Sequence, residues 1–127
     1  MIFKLLIVIF IGFQLGKERK KKKGYGGRRT FSLVCLASCL LGILSLLLRE
    51  QGYNFDFTRL MAYGVAGMGF LGTGVIHRTK NKIEGLTTAA AMWCLVPVGF
   101  FIGLGYYGIG IISAICIYIL LDFKYWR

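Results

Sequence analysis

The chain has 127 residues, of which 57% are hydrophobic and 17% are charged, and it carries a formal net charge of +11. Its mean hydropathy is +0.68. A soluble domain is normally about one quarter charged, so this composition excludes an ordinary soluble fold. A disordered basic tail is excluded as well, because disorder accompanies low hydrophobicity. The lipid bilayer is the solvent that remains.

Five apolar runs follow one another, at residues 2–16, 31–48, 60–76, 86–104 and 106–121. Each run is apolar on every side, which predicts a membrane-spanning α-helix. The first run resembles the apolar core of a signal peptide, but no small-x-small cleavage site follows it, which favours a retained helix. The last two runs would together extend about 54 Å as one helix, more than a bilayer holds. The segment GLGYYG therefore predicts a tight reversal.

The cations predict the orientation of these helices. Of the 16 lysines and arginines, thirteen fall on one side of the five-span arrangement, and the other side receives Lys4, Arg49 and Arg59. The positive-inside rule then places the N-terminus outside and the C-terminus in the cytoplasm. The sequence thus predicts an all-α membrane protein in which residues 1–127 form a single transmembrane domain, with no soluble C-terminal domain.

Half of the lysines and arginines lie in one short segment, the motif KERKKKKGYGGRR at residues 17–29. As a topology signal this segment marks a cytoplasmic loop. Its four consecutive lysines also predict attraction of anionic lipid headgroups; they are Lys20, Lys21, Lys22 and Lys23. The segment is too short to contain a nucleic-acid-binding domain, so no nucleic-acid partner is expected.

Small residues are spaced along the runs so that helices can approach closely, which is how helices associate in lipid. The first and fourth helices each carry a Gly-x-x-x-Gly pair, Gly12 with Gly16 and Gly99 with Gly103. The third helix has two small-residue faces, and we expect it to lie centrally; the glycines predicted to pack against other helices are Gly67, Gly69, Gly72 and Gly74. The alternative for this helix is a permeation path lined by backbone carbonyls.

Polar side chains cluster at three predicted cytoplasmic helix ends, and they are Glu18, Arg19, Arg28, Arg29, Glu84, Thr87 and Thr88. Thr87 or Thr88 is a candidate N-cap for the fourth helix, whose free N–H groups also attract anions. The cluster is interpreted either as a charge-paired structural ring or as an anion or lipid headgroup site. On the opposite face, Asp56 and Arg59 have the spacing of an ion pair across one helical turn.

No pattern predicts catalysis, a cofactor or a metal site. The four cysteines lie in apolar runs without Cys-x-x-Cys spacing, which indicates buried free thiols. The single histidine, His77, has no ligand-type residue at metal-binding spacing. No G-x-S-x-G, P-loop or H-E-x-x-H motif occurs. The sequence therefore predicts a protein that is not an enzyme.

The segments GFQLGKER, GGRRTFSLVCLAS, DFTRLMAYGVAGMGFLGTGVI and EGLTTAAAMW occur in this order and are followed by GFFIGLG. Together they resemble the membrane domain of the MgtC/SapB family of bacterial inner-membrane proteins. The strongest pieces of the resemblance are residues 67–74 and 85–90. The tetralysine and the GYGG insert depart from the short loop that is usual in the family.

The resemblance implies a multi-pass protein of the bacterial inner membrane, associated with adaptation to low magnesium and, in some pathogens, with survival inside host cells. It implies modulation of partner membrane proteins, among them the F-type ATP synthase. The smooth glycine faces favour a homo-oligomer or a larger membrane complex. The alternative is an oligomeric cation channel or transporter, with Glu18 and Glu84 or Asp56 forming rings.

Overall fold

The computed structural model describes residues 1–22, 25–54 and 56–123. Within these ranges the chain forms five α-helices, which are α1 (Ile2–Lys21), α2 (Arg28–Glu50), α3 (Phe57–Thr73), α4 (Leu86–Leu104) and α5 (Tyr107–Asp122). The all-α prediction is confirmed. Between α3 and α4 the chain adds a small antiparallel hairpin of β1 (His77–Thr79) and β2 (Lys82–Glu84), with Arg78 opposite Ile83.

The first two helices extend beyond their apolar runs. α1 continues past residue 16 to Lys21, and α2 begins at Arg28 instead of residue 31. Lys and Arg are good helix formers, and cations in the last turn of α1 also interact favourably with the helix dipole. α3 ends at Thr73, before the hairpin begins. Hydropathy therefore predicted where the helices lie, whereas cationic residues extend α1 and α2 beyond their apolar runs.

The outer surface of the bundle is strongly apolar. Two helices, α2 and α4, are long and apolar enough to cross a membrane, and α5 is a shorter apolar helix. Large apolar side chains face outward on other helices as well, with Phe10 63%, Phe70 81% and Leu120 66% exposed. Soluble monomers rarely expose large contiguous apolar patches. This surface indicates a membrane protein.

α4 is the central helix of the bundle. It packs most extensively against α2 and also contacts α1, α3 and α5. Its Leu95 and Ile102 are fully buried, together with Cys35 and Cys39 of α2. The expectation that α3 lies centrally is wrong, since α3 buries only Met68 and Gly72.

Glycines bring the backbones of α2 and α4 into direct contact. A Cβ atom added at Gly99 would lie 2.5 Å from the Cys35 carbonyl oxygen, and one at Gly103 would lie 2.3 Å from that of Cys39. From the other side, a Cβ at Gly42 would lie 2.5 Å from the Phe100 carbonyl oxygen. No side chain fits at these distances, so the α2–α4 seam requires glycine at all three positions.

The same device joins α1 to α2. A Cβ atom at Gly12 would lie 2.5 Å from Ser32 Cα, and one at Gly16 would lie 2.6 Å from Arg28 Cα. At the opposite end of α1, the Lys4 ammonium donates a hydrogen bond of 2.9 Å to the Gly103 carbonyl oxygen near the end of α4. A cation at a helix C-terminus is favourable because the last carbonyl groups have no partner within the helix.

We predict that Gly103→Ala lowers the unfolding free energy by about 1–3 kcal/mol, because the added methyl group overpacks the α2–α4 seam. The matched control is Gly108→Ala on α5, where an added Cβ meets nothing within 4 Å. Cys116 is exposed and Cys94 is half-buried, contrary to the prediction of four buried thiols, so both are replaced by alanine in every protein compared. Thermal unfolding in detergent is then followed by a thiol-reactive dye, which reaches the buried Cys35 and Cys39 only when the bundle opens. Equal unfolding temperatures for the two variants would contradict the proposed seam.

Candidate functional site

One end of the bundle collects most of the polar side chains that the sequence identified. α1 and α5 end there, α2 and α4 begin there, and the β-hairpin directly precedes α4. We call this region the basic end. The predicted cluster of seven residues does not form a continuous ring but divides into separate groups.

The first group joins α1 to α4. Nε and Nη2 of Arg19 both lie 3.2 Å from the Thr88 hydroxyl oxygen, which accepts their hydrogen bonds. The Thr88 side chain is fully buried. The N-cap of α4 is Gly85, and no side chain caps it, so the capping role predicted for Thr87 or Thr88 is wrong. Thr87 is exposed.

The second group joins α1 to α5. The Glu18 side chain is buried, and its carboxylate lies 3.9 Å from the Lys22 ammonium one turn later. Lys22 also donates a hydrogen bond to the Leu121 carbonyl oxygen in the last turn of α5. Lys22 therefore neutralises the buried Glu18 and binds the C-terminus of α5. Both of these partners belong to the same chain.

The third group connects the α1–α2 loop to the hairpin. The Tyr25 hydroxyl donates a hydrogen bond of 3.1 Å to Glu84 Oε2, and the Tyr25 and His77 rings have centroids 4.7 Å apart. The hydrogen bond to Glu84 raises the pKa of Tyr25, because the carboxylate stabilises the neutral phenol. Sequence reasoning missed this contact, because Tyr25 and Glu84 are far apart along the chain.

The remaining cations of the cluster surround a cavity of about 670 Å³ at the start of α2. Arg28, Arg29 and Lys20 line it, and the Arg28 guanidinium lies 5.1 Å from the centre of the Phe13 ring. Of the other tetralysine residues, Lys21 lines a separate groove beside α5, and Lys23 lies outside the described residues.

At the opposite end of the bundle, Asp56 is the N-cap of α3. Its Oδ1 accepts a hydrogen bond of 3.0 Å from the Thr58 backbone N–H and another from the Thr58 hydroxyl. These bonds lower the pKa of Asp56, because they stabilise its carboxylate. The predicted ion pair with Arg59 does not form within 4.0 Å among the described residues. A local cap therefore takes the place of the side-chain pairing.

A groove runs between the outer sides of α3 and α4, with a volume of about 240 Å³. Small residues line both of its sides, and Trp93 borders it; these small residues are Gly69, Gly72, Thr73, Ala89 and Ala90. A Cβ atom at Gly72 would meet Ala89 Cβ at 3.6 Å, whereas one at Gly67 or Gly69 would meet nothing within 4 Å. Gly74 approaches only the Leu71 carbonyl of its own helix. We call this feature the α3–α4 groove.

The predicted packing glycines thus have two different environments. Gly12, Gly16, Gly99 and Gly103 lie against the backbone of a neighbouring helix, whereas Gly67 and Gly69 have no neighbour within the described chain. The small-residue surface that no other helix of the described chain covers is therefore on α3.

Among the described residues, no group of three or more His, Cys, Asp or Glu side chains is placed to hold a metal ion.

Comparisons with known proteins place the chain among relatives. The model of the MgtC family matches residues 5–126. Protein SapB of Bacillus subtilis is 35% identical over an alignment of 134 positions, which covers 98% of this chain and 56% of SapB. Protein MgtC of Salmonella typhimurium is 35% identical over 104 residues, which cover 82% of this chain and 43% of MgtC.

An uncharacterized protein of Haemophilus influenzae is 33% identical over 121 residues, which cover 90% of this chain and 51% of that protein. The chain therefore spans about half the length of the curated relatives that it matches. No solved structure matches it.

We predict that Arg19 and Thr88 are energetically coupled across the basic end. In a double-mutant cycle of Arg19→Met and Thr88→Val, the coupling free energy should be about 1 kcal/mol, because each single variant leaves a polar group without its partner. Thr87→Val is the matched control at the exposed neighbouring position, and its effect should stay within about 0.5 kcal/mol. The unfolding free energies of the wild type, the two single variants, the double variant and the control are measured in detergent. Strictly additive effects would show that the two side chains do not interact.

Proposed function

The chain belongs to the MgtC family, and on this basis we propose that it acts in the bacterial inner membrane by binding a partner membrane protein. The proposed role is in magnesium or ion homeostasis or in adaptation to low magnesium. In this role the protein binds its partner and catalyses no reaction. In the proposed arrangement all five helices span the membrane, with the N-terminus outside and the basic end in the cytoplasm.

The α3–α4 groove is the observation that carries this proposal. The two segments that most strongly carry the family resemblance, residues 67–74 and 85–90, supply most of the side chains on its two sides. These segments are separated along the sequence by the hairpin and meet only in the folded bundle. Residues from both segments therefore line one groove.

The chemistry of the groove fits a transmembrane helix. Lipid chains are as apolar as leucine, so helices in a bilayer associate where small residues allow their backbones to approach. The chain uses this mode internally, where Gly99 and Gly103 lie against carbonyl oxygens of α2. On α3, Gly69 lines the groove and offers the same opportunity, since a Cβ added there would meet nothing within 4 Å in the described part of the chain. A helix of the partner protein would complete the same kind of seam.

The acidic residues favour this proposal over an ion channel. Glu18 is buried beside Lys22, and Glu84 accepts a hydrogen bond from Tyr25. Both carboxylates are therefore engaged by groups of the same chain. A ring of cation-binding carboxylates would require each of them to exchange these partners for an ion.

We predict that a photo-cross-linking amino acid at Trp93 captures a partner membrane protein in cells grown in low magnesium. Trp93 borders the groove and is 48% exposed. The matched control is the same amino acid at Ile112 of α5, which is 64% exposed but lies outside the groove. Adding Gly69→Leu should reduce the cross-linked product at least tenfold, because the leucine side chain occupies the groove. Immunoblotting and mass spectrometry identify the product.

Three outcomes would contradict the proposal. Equal capture from positions 93 and 112 would indicate random collision in the membrane. A product that contains only two copies of this chain would identify the groove as a self-association surface. Magnesium flux through liposomes containing only the purified protein, lost in Glu18→Gln, would support the channel.

A further inference from the structure

The cavity at the start of α2 continues into a second, apolar cavity on the outer surface of α1 and α2. The first has a volume of about 670 Å³ and the second about 400 Å³. Phe13, Arg28 and Arg29 line both, so the two cavities adjoin. The first is lined by three cationic side chains, and the second is almost entirely apolar.

The first cavity has an unbalanced positive charge. Lys20, Arg28 and Arg29 line it without an acidic residue, and among the described residues no carboxylate lies within 4.0 Å of these three side chains. The cavity also contains the first turn of α2, whose N-cap, Gly27, provides no side-chain hydrogen bond. Free N–H groups and the helix dipole add to the positive potential there. The positive potential of this cavity favours the binding of an anion.

The second cavity follows the groove between α1 and α2 away from the basic end. Ile9, Leu33 and Leu36 line it beyond the shared arginines. Ser32 also lines it, but its hydroxyl already donates a hydrogen bond of 3.2 Å to the Ile9 carbonyl oxygen. The surface offered to a ligand is therefore hydrocarbon, and it runs toward the middle of the proposed membrane span.

We propose that the two cavities together bind one anionic phospholipid. Its phosphate lies among Lys20, Arg28 and Arg29, and an acyl chain lies along Ile9 and Leu33. The apolar cavity specifies a lipid instead of a free phosphate ion, since an ion would occupy only the cationic half. This site includes only some of the cations of the lysine-rich loop, because Lys22 is engaged by Glu18 and Leu121. It is independent of the α3–α4 groove.

Native mass spectrometry of the full chain, released from detergent in the presence of phosphatidylglycerol or phosphatidylcholine, tests the site. The wild-type protein should retain one phosphatidylglycerol in preference to phosphatidylcholine. The double variant Arg28→Gln, Arg29→Gln should bind it roughly thirtyfold more weakly, given about fivefold for each cation near a membrane surface. The matched control is Lys80→Gln, Lys82→Gln, which removes two exposed cations of the hairpin and should leave binding unchanged.

A second set of variants separates binding from folding, because Arg28 also packs on Phe13. The single variants Lys20→Gln and Arg29→Gln should each weaken phosphatidylglycerol binding about fivefold while keeping the wild-type unfolding temperature. Equal losses in the hairpin control, or equal retention of phosphatidylcholine, would overturn the proposal. So would competition by millimolar inorganic phosphate that removes the lipid completely, since this would indicate a simple ion site.

Discussion

The contact between glycine Cα atoms and backbone carbonyl oxygens along the α2–α4 seam is the constraint on which the rest of the bundle depends. Gly42, Gly99 and Gly103 allow an approach that any side chain would prevent. In lipid there is little hydrophobic force between helices, so close packing must supply the association. Once α2 and α4 are joined, α1 packs against α2 through Gly12 and Gly16, while α3 and α5 pack against α4.

The seam also determines what happens at the two ends and on the outer surface. At the basic end it brings Arg19 to the buried Thr88, and Lys22 reaches the last turn of α5. These contacts satisfy polar groups that would otherwise be costly in a low-dielectric region. The cations of the first turn of α2, Arg28 and Arg29, have no acidic partner within 4.0 Å in the part of the chain that the structure describes. On the outer surface α3 remains peripheral, and its Gly67 and Gly69 face outward.

The sequence predicted the helices well because hydropathy depends on residues close together in the chain, and the Gly-x-x-x-Gly spacing identified Gly99 and Gly103. It could not predict which helix would be central, since small residues permit a close approach without specifying the neighbour. Thr87 or Thr88 was the candidate cap of the fourth helix, but the Thr88 hydroxyl instead accepts a hydrogen bond from Arg19, 69 residues away. For Asp56 the predicted partner was Arg59, but the donor to its carboxylate is Thr58, only two residues away along the chain.

We propose that the α3–α4 groove is a seam left open for a helix of another protein. It is tested most directly by cryo-electron microscopy of the protein extracted from its native membrane in polymer nanodiscs, without detergent. We expect a helix of a different protein along Gly69 and Trp93, with its backbone close to α3. A complex in which lipid fills this groove while the partner contacts α1 or α5 would contradict it.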